Sequence, residues 1–278
     1  MSKHFAQLFL VITLTTVLFS CAVKKGNDMK DMSSALFEVK VKPSLAEVDN
    51  LGRLYVVNDR NTIINYKPDL TEQYQYANKK SGTVTSLDVT NPLKIVVFFD
   101  DFNQVKILDN TLSLITELDL SARFADVSAC SVTNDGNLWI FDPVQFKLIK
   151  IRENGTVIFE SSNVNDFGMA GVRITDIREK GNYVMLCDRD KGFYFFDNLG
   201  QYLYHFPVTT GIKSVQFDGK NVYYYSGTGL KSYSVRLKEV LMIGYPLEMN
   251  REGLMYILYQ GGNYFEINKS GINRQEKT

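Results

Sequence analysis

Histidine is nearly absent from this 278-residue sequence, which contains only two, and tryptophan occurs once. The scarcity of histidine limits acid–base and transition-metal chemistry, because histidine is the side chain most often used for both. Excess charge of either sign is missing too, since 31 basic residues balance 31 acidic ones. No large basic field exists to hold nucleic acid, and we expect no nucleic-acid partner.

Regular helical periodicity is also missing, although 45% of the residues are hydrophobic. Instead, short runs rich in Val, Ile, Tyr and Phe are separated by turn signals such as Asn-Asp-Gly at 134–136. Dipeptides of this kind supply the positive φ that tight hairpins need. The pattern predicts an all-β fold with a large core.

The N-terminal 34 residues differ from the rest in composition. Residues 1–20 contain Lys3 near the start and then an apolar run over 8–19. This run is too short to span a bilayer and is typical of a secretory signal peptide. Residues 21–34 begin with Cys21, continue without apolar periodicity, and are predicted to form a flexible solvated tether.

Residues 18–21, Leu-Phe-Ser-Cys, resemble the lipobox of bacterial lipoproteins, in particular those of Bacteroidetes-type bacteria. The resemblance implies that Cys21 carries a covalent lipid, which anchors the protein in the outer membrane. No acidic residue occurs among residues 22–26, and this favours the periplasmic face over the cell surface. The alternative is an ordinary signal peptide with an incidental cysteine.

The remaining chain repeats one pattern six times. Apolar segments with a shared register end at positions 59, 100, 142, 188, 226 and 259, so the spacing is near 40 residues. A β-rich repeat of this length predicts propeller blades. Each segment is interpreted as the second strand of a blade, with an inner strand before it and two outer strands after it.

The last repeat runs out of chain, whereas the first has a surplus strand. In the sixth blade we assign 247–249 to the inner strand, 253–259 to the second and 264–267 to the third, and the outer strand is missing. Residues 36–41 alternate as an edge strand does and are predicted to supply it, which would remove the open edge. The sequence thus predicts a six-bladed β-propeller over 35–273, closed by its N-terminal strand, with a polar tail at 274–278. A seven-bladed ring is the alternative.

The recurring Gly-x-Leu-Tyr-Val-x-Asp phrase, clearest at 52–59 and 136–142, resembles NHL-like and gluconolactonase-like six-bladed propellers. The lactonase-like members bind a divalent ion in the central channel through a Glu near the first inner strand, and Glu47 has a comparable position. The later ligands have no match, so we predict no metal and no cofactor apart from the lipid on Cys21.

Two groups of residues are candidates for binding. Aromatic and polar residues in loops that should share one rim are candidates for a protein-binding hot spot: Arg60, Phe102, Phe124, Gln145, Phe146, Phe167 and Arg189. Arg173 and Lys213 are predicted to put positive charge near the channel, which would suit an anion or a carboxylate. The alternatives are that the aromatic rings pack between blades and that the two cations pair with acids such as Asp88, Asp176 or Glu248.

Other reactive residues are interpreted as structural. Cys130 and Cys187 lie in apolar runs and are predicted to be buried free thiols. Asp59, Asp100, Asp142 and Asp188 end second strands, where aspartates typically cap their own loops. His205 would be the only histidine left in the mature protein, so no Ser-His-Asp arrangement is supported.

We therefore predict a non-enzymatic, lipid-anchored propeller that scaffolds outer-membrane or periplasmic proteins, such as an accessory subunit of an outer-membrane assembly or secretion machine. A propeller that binds a glycan or peptide is one alternative. A metal-dependent, lactonase-like hydrolase or lyase is the other.

The lipobox interpretation predicts that Cys21→Ser abolishes acylation and releases the protein from membranes. Fractionation and mass spectrometry of the N-terminal peptide would test this. A variant that stays membrane-bound through its own lipid would contradict the interpretation.

Overall fold

The computed structural model describes residues 37–77, 80–227, 229–243 and 253–276. They form six four-stranded antiparallel sheets arranged around an axis, which is a six-bladed β-propeller. The predicted fold class is confirmed, and the seven-bladed alternative is wrong. The predicted signal peptide, Cys21 and the tether over 21–34 lie outside the described residues.

The strands follow each other from the axis outwards in every blade. The first strand, β1, is Phe37–Val39. Blade 1 consists of β2 (Pro43–Val48), β3 (Leu54–Asn58), β4 (Thr62–Tyr66) and β5 (Glu72–Ala77). Blade 2 consists of β6 (Ser86–Asp88), β7 (Ile95–Phe99), β8 (Gln104–Leu108) and β9 (Leu114–Asp119). Blade 3 consists of β10 (Ala129–Val132), β11 (Leu138–Asp142), β12 (Lys147–Ile151) and β13 (Val157–Glu160).

The second half of the ring has the same organisation. Blade 4 consists of β14 (Ile174–Lys180), β15 (Tyr183–Asp188), β16 (Gly192–Asp197) and β17 (Tyr202–Pro207). Blade 5 consists of β18 (Ser214–Phe217), β19 (Asn221–Tyr225), β20 (Leu230–Ser234) and β21 (Glu239–Met242). Blade 6 consists of β22 (Leu254–Gln260), β23 (Asn263–Asn268), β24 (Gly271–Glu276) and β1.

Within the described ranges, helix is confined to two short 3₁₀ segments, Asp100–Phe102 and Val164–Phe167. In the described part of the chain, no helix is long and apolar enough to cross a membrane.

The core lies between the blades and contains both faces of the middle strands. Every residue of β7 and of β11 is buried, because each blade packs against a neighbour on both sides. Trp139 in β11 is fully buried and donates a hydrogen bond from Nε1 to Glu179 of blade 4 at 2.5 Å. The predicted buried thiols, Cys130 and Cys187, are confirmed as free and buried.

The N-terminal strand closes the ring. β1 pairs antiparallel with β24, and Val39 lies opposite Ile272. The fit is close at Gly271, where a Cβ atom would lie 2.7 Å from the carbonyl oxygen of Val39. This pairing confirms the predicted closure of the last blade by the N-terminal strand.

The assignment of strands within blade 6 was wrong by one strand. β22, predicted as the second strand, is the innermost strand of its sheet and contacts β18 and β19 of blade 5. Residues 274–276, predicted in the polar tail, belong to β24. If β23 is taken as the second strand of blade 6, its last residue, Asn268, follows the last residue of β19, Tyr225, by 43 residues. This spacing agrees with the repeat length of the other blades. The predicted inner strand at 247–249 lies outside the described residues.

The two faces of the ring carry different loops, because antiparallel strands alternate in direction. We call the face with the loops between second and third strands, and with the connections from one blade to the next, the upper face. The opposite face, with the remaining hairpins such as the Gly136 turn at φ +81°, is the lower face. All the predicted rim residues belong to upper-face loops.

The closure predicts that deleting residues 35–42 opens blade 6. The deletion uncovers Ile272 and the edge of β24, and a loss of about 3 kcal/mol would lower Tm by roughly 10 °C. Calorimetry would measure this, with Glu38→Ala, an exposed substitution in the same strand, as the control. An unchanged Tm for the deletion variant would contradict closure by β1.

Candidate functional site

An ion pair crosses the central channel between opposite blades. Glu47 lies on β2 of blade 1, and Arg178 lies on β14 of blade 4. Arg178 Nη2 is 3.1 Å from Glu47 Oε1, and it also donates to the carbonyl oxygen of Leu87 in blade 2 at 3.3 Å. One guanidinium therefore connects three blades at the axis.

Two further carboxylates and a second arginine surround this pair. Asp88 in β6 is buried and accepts hydrogen bonds from the backbone N–H groups of Thr90 and Val132. Asp176 in β14 accepts from Arg189 Nη2 at 3.0 Å. The axial cluster thus combines three acidic side chains with two basic ones.

The cluster shifts the ionisation of Glu47. Burial raises the pKa of Glu47 to about 7; Arg178 lowers it, whereas Asp176 and Asp88 raise it. Burial lowers the pKa of Arg178, but Glu47, Asp88 and Asp176 more than offset this, so the net shift is upwards. Arg178 therefore stays charged, and Glu47 titrates near neutrality.

The ion pair divides the channel into two cavities that both contact Glu47 and Arg178. The upper cavity has a volume of about 510 Å³ and opens among the loops of blades 1 to 4. The lower cavity is smaller, at about 160 Å³, and is lined by Gln216 and Tyr223 among others. Polar and charged groups in the wall of the upper cavity include Thr85, Asp100, Asp126, Ser128, Thr175, Arg173 and Arg189.

Part of the predicted rim is exposed on the upper face. Phe102, in the first 3₁₀ segment, is 56% exposed, and Arg60 and Gln145 are exposed in the loops of blades 1 and 3. Phe167 retains 36% exposure although its ring stacks on Tyr202 at a centroid distance of 5.0 Å.

Two predicted rim aromatics are packing residues instead. Phe124 is only 4% exposed and belongs to the core between blades 2 and 3. Phe146 packs against the core between blades 3 and 4, and its backbone has a φ of +54°. In both cases the ring packs in or against the core between neighbouring blades, so a loop position did not imply exposure.

The predicted basic residues have different roles. Arg173 is on the upper cavity wall, and its side chain is 80% exposed while pairing with Asp190 rather than with the acids predicted for it. Arg189, predicted on the rim, turns inwards to Asp176 and donates to the carbonyl oxygen of Lys213. Lys213 itself is exposed and lines neither cavity, so its predicted channel position is wrong.

Two residues of the site escaped the sequence analysis. Arg178 was missed because only Arg173 and Lys213 were predicted as channel cations, whereas β14 continues through Arg178 to Lys180. The signal was the charged Arg-Glu-Lys sequence that directly extends an apolar strand. Val144, which is 59% exposed beside Gln145, was missed because only aromatic and polar loop residues were considered.

The aspartates that end second strands mostly cap loops. Asp142 accepts from the N–H groups of Val144 and Gln145, and Asp188 accepts from those of Asp190 and Lys191. In blade 1 this role belongs to Asn58 rather than to Asp59. Within the described residues, no group of three or more His, Cys, Asp or Glu side chains is arranged to hold a metal ion.

No protein-family model matches the chain, and no curated protein matches it. Solved structures with a similar fold include the virginiamycin B lyase from Staphylococcus aureus, at a TM-score of 0.63 and 11% identity, covering 87% of this chain and 98% of that chain. The WD40 domain of Pan2 from Neurospora crassa has a TM-score of 0.61 at 10% identity and covers 85% and 89%. The Cps50 (Swd1) β-propeller domain from Myceliophteria thermophila has a TM-score of 0.59 at 12% identity and covers 87% and 100%. Identities this low show a shared fold only.

The raised pKa of Glu47 predicts that stability falls as the pH increases from about 4.5 to 7. Over this range the folded protein retains a proton that the unfolded chain has lost, and the effect approaches about 3 kcal/mol. Glu47→Gln, which resembles the neutral acid, should flatten this part of the pH profile. Denaturant titrations at pH 5 and pH 8 would measure this, with the exposed Glu38→Gln as a control. Parallel profiles for wild type and Glu47→Gln would contradict the assignment.

Proposed function

We propose that this chain is a non-enzymatic binding module that scaffolds other envelope proteins through its upper face. The observation that carries the proposal is the exposure of Phe102 and Val144, at 56% and 59%, on upper-face loops of the neighbouring blades 2 and 3. Phe167 on the connection to blade 4 adds a third partly exposed ring. We call these three residues the apolar rim.

The apolar rim has the chemistry of a protein-binding hot spot. Large apolar side chains that become buried at an interface contribute most of its free energy, and polar groups around them provide specificity. Arg60 and Gln145 are exposed in the upper-face loops of blades 1 and 3 and supply such polar groups. Both aromatic residues of the rim sit on 3₁₀ segments whose ends have defined backbone turns, so little conformational freedom would be lost on binding.

The position of histidine supports a non-enzymatic function. A virginiamycin B lyase variant in which a histidine is replaced by alanine is described as catalytically inactive, and its structure has a TM-score of 0.59 to this chain. Here His205 lies on β17, the outermost strand of blade 4, and stacks on Tyr194 at 4.1 Å. A histidine on an outer strand cannot reach a substrate in the channel.

The axial charges also argue against the lactonase-like alternative. Glu47, at the position that resembles a metal ligand, is bound to Arg178. Asp176 is bound to Arg189 in the same way. A divalent cation at this point would have to displace two guanidinium groups.

The membrane location in this proposal rests on the N-terminal sequence. A lipid on Cys21 would tether the propeller to the outer membrane, on the periplasmic face. Its partners would then be outer-membrane or periplasmic proteins, such as the subunits of an assembly or secretion machine. The formal net charge of zero agrees with protein partners rather than nucleic acid.

Site-specific photocrosslinking in cells would test the rim. A photoreactive amino acid at Phe102 or Val144 should give discrete crosslinked partners, because the contact would bury these side chains. The matched controls are Leu93 and Leu199, which are 69% and 65% exposed on lower-face turns. Phe102→Ser with Val144→Ser should reduce recovery of the same partners at least tenfold and leave Tm unchanged.

Equal crosslinking at the lower-face positions, or none at the rim, would contradict the proposal. Phe146→Ser serves as a second control, because this packing residue should lower Tm.

A further inference from the structure

The outer strand of blade 5 differs from the outer strands of the four blades before it. In β5, β9, β13 and β17 at least two residues are partly or fully buried, because alternate side chains pack against a neighbouring blade. In β21 all four residues are exposed, and so are the three residues before it in the hairpin. We call residues 236–242, Arg-Leu-Lys-Glu-Val-Leu-Met, the blade 5 edge.

Most of the blade 5 edge is apolar although it faces solvent. Leu237, Leu241 and Met242 are 61 to 62% exposed, and Val240 is 41% exposed. β21 pairs with β20 on one side, and no strand of the described sheets pairs with its other side. Exposed outer strands are usually protected by charged side chains. A contiguous apolar one indicates a binding surface.

The charged groups around this edge are nearly all basic. Residues 219–243 contain four basic residues and one acidic residue, in a chain whose formal net charge is zero. Within the described residues, none of these four basic side chains lies within 4 Å of an acidic group. The four basic residues are Lys220, Lys231, Arg236 and Lys238.

The fold brings these basic residues to the apolar strand. Arg236 and Lys238 belong to the edge itself, and Lys231 lies opposite Met242 in the adjoining strand. Lys238 Nζ lies over the ring of Tyr204 in blade 4, at 4.6 Å from its centroid, which holds the ammonium group beside the strand. The edge therefore combines exposed apolar side chains with cations that have no acidic partner in the described structure.

The outer strand of blade 2 has exposed apolar residues without this charge. Leu114 and Ile115 in β9 are 48% and 52% exposed. The same strand contains Glu117 and Asp119, and Asp109 lies in the turn before it. Blade 2 also lies opposite blade 5 in a ring of six, so β9 is an internal control for exposed apolar surface alone.

The combination at blade 5 favours a lipid surface over a second copy of the chain. Two copies joined at this edge would bring two basic surfaces together, and like charges repel. A bilayer with anionic headgroups offers negative charge to the cations and an apolar interior to the exposed side chains. The unpaired N–H groups of β21 would stay in the headgroup region, where phosphate oxygens and water accept hydrogen bonds.

The chain enters the propeller next to this edge. β1, the outer strand of blade 6, begins at Phe37, and blade 6 packs against blade 5 through β22. A lipid on Cys21 would therefore be linked by residues 22–36 to the blade beside the edge. That lipid belongs to the proposed function, and the experiment below omits it so that the two proposals can fail separately.

We propose that the blade 5 edge is a peripheral membrane-binding surface that recognises an anionic lipid bilayer. Leu237, Leu241 and Met242 enter the interfacial layer, and the four basic side chains contact headgroup phosphates. Contact along an outer strand places the axis of the ring parallel to the membrane plane. The upper face, with the apolar rim, then stays accessible to protein partners.

Flotation with lipid vesicles would test this surface. The protein used lacks residues 1–21 and retains the compact unit formed by residues 34–278. One set of vesicles contains phosphatidylcholine and phosphatidylglycerol at two to one, and the other contains phosphatidylcholine alone. The protein should float with the anionic vesicles and bind the neutral ones at least tenfold more weakly. Added salt should weaken the anionic binding, because it screens the basic groups.

Variants separate the apolar and basic contributions. Leu241→Ser with Met242→Ser should weaken binding to anionic vesicles at least tenfold, because apolar area no longer enters the interface. Arg236→Gln with Lys238→Gln should remove most of the preference for anionic lipid. The matched control is Leu114→Ser with Ile115→Ser, which should bind like the parent protein. All six positions are exposed, so Tm should be unchanged in every variant.

An environment-sensitive fluorophore would report which part of the ring touches lipid. Attached at Leu241→Cys, it should shift to the blue on addition of anionic vesicles, whereas at Ile115→Cys it should not. The native Cys130 and Cys187 are buried, so labelling is directed to the new thiol.

Three results would overturn the proposal. Absence of flotation with either kind of vesicle would show that the edge does not bind lipid. An equal loss of binding in the blade 2 control, or equal blue shifts at both labelled positions, would indicate non-specific adsorption. A dimer in analytical ultracentrifugation that dissociates in Leu241→Ser with Met242→Ser would assign the edge to a second copy of the chain.

Discussion

The pairing of β1 with β24 is the contact on which the remaining structure depends. A propeller blade buries both faces of its middle strands against its neighbours, so an open ring would expose apolar surface and strand edges at the gap. The N-terminal strand closes this gap with residues that precede blade 1 in the chain, which ties the last blade to the first. Tyr256 of blade 6 then receives a hydrogen bond from the backbone of Ala46 in blade 1 at 2.7 Å, so the junction is sealed at the axis as well.

Closure also creates the axial cluster. Glu47 and Arg178 are 131 residues apart in the chain and meet only because blades 1 and 4 lie opposite each other in a ring of six. Charged groups this deep are costly unless they are paired, and a single broken pair leaves the other charges without compensation. The shared position of Arg178 between Glu47 and the Leu87 carbonyl makes the channel interior specific for this ring size, because an additional blade would separate the partners.

Much of the fold could be predicted from the sequence, since turn glycines and apolar strands recur with a nearly constant period. The strand assignment for blade 6 was wrong because periodicity locates strands but does not indicate which strand lies nearest the axis. Its inner strand β22 is as apolar as a second strand, and the polar side chains of Asn273, Arg274 and Gln275 concealed a strand that is held by backbone hydrogen bonds. The shorter last interval of 33 residues, against 38 to 46 elsewhere, was the available signal of this shift.

The candidate site was less predictable, because it depends on side-chain direction and on contacts between distant blades. Phe102 and Phe124 both occupy upper-face loops, yet one ring is exposed and the other is core. Likewise Arg189 turns inwards to Asp176, whereas Arg173, at the mouth of the same cavity, points to solvent. The order of the strands predicts the face on which a loop lies. The direction of each side chain depends on how two neighbouring blades pack, and no local sequence pattern predicts that.

The two faces of the ring are not equivalent for binding. The lower cavity, at about 160 Å³, is the smaller of the two and is lined by Gln216 and Tyr223. Gln216 accepts a hydrogen bond from the Tyr259 backbone, and the Tyr223 ring packs against that of Tyr259. The wide cavity and the apolar rim both open on the upper face. A protein seated on the rim would lie over the cavity mouth, so its binding and that of any ligand in the cavity must be coupled. Such coupling is reciprocal. If a ligand in the cavity changes the affinity for the partner by some factor, the partner changes the affinity for the ligand by the same factor.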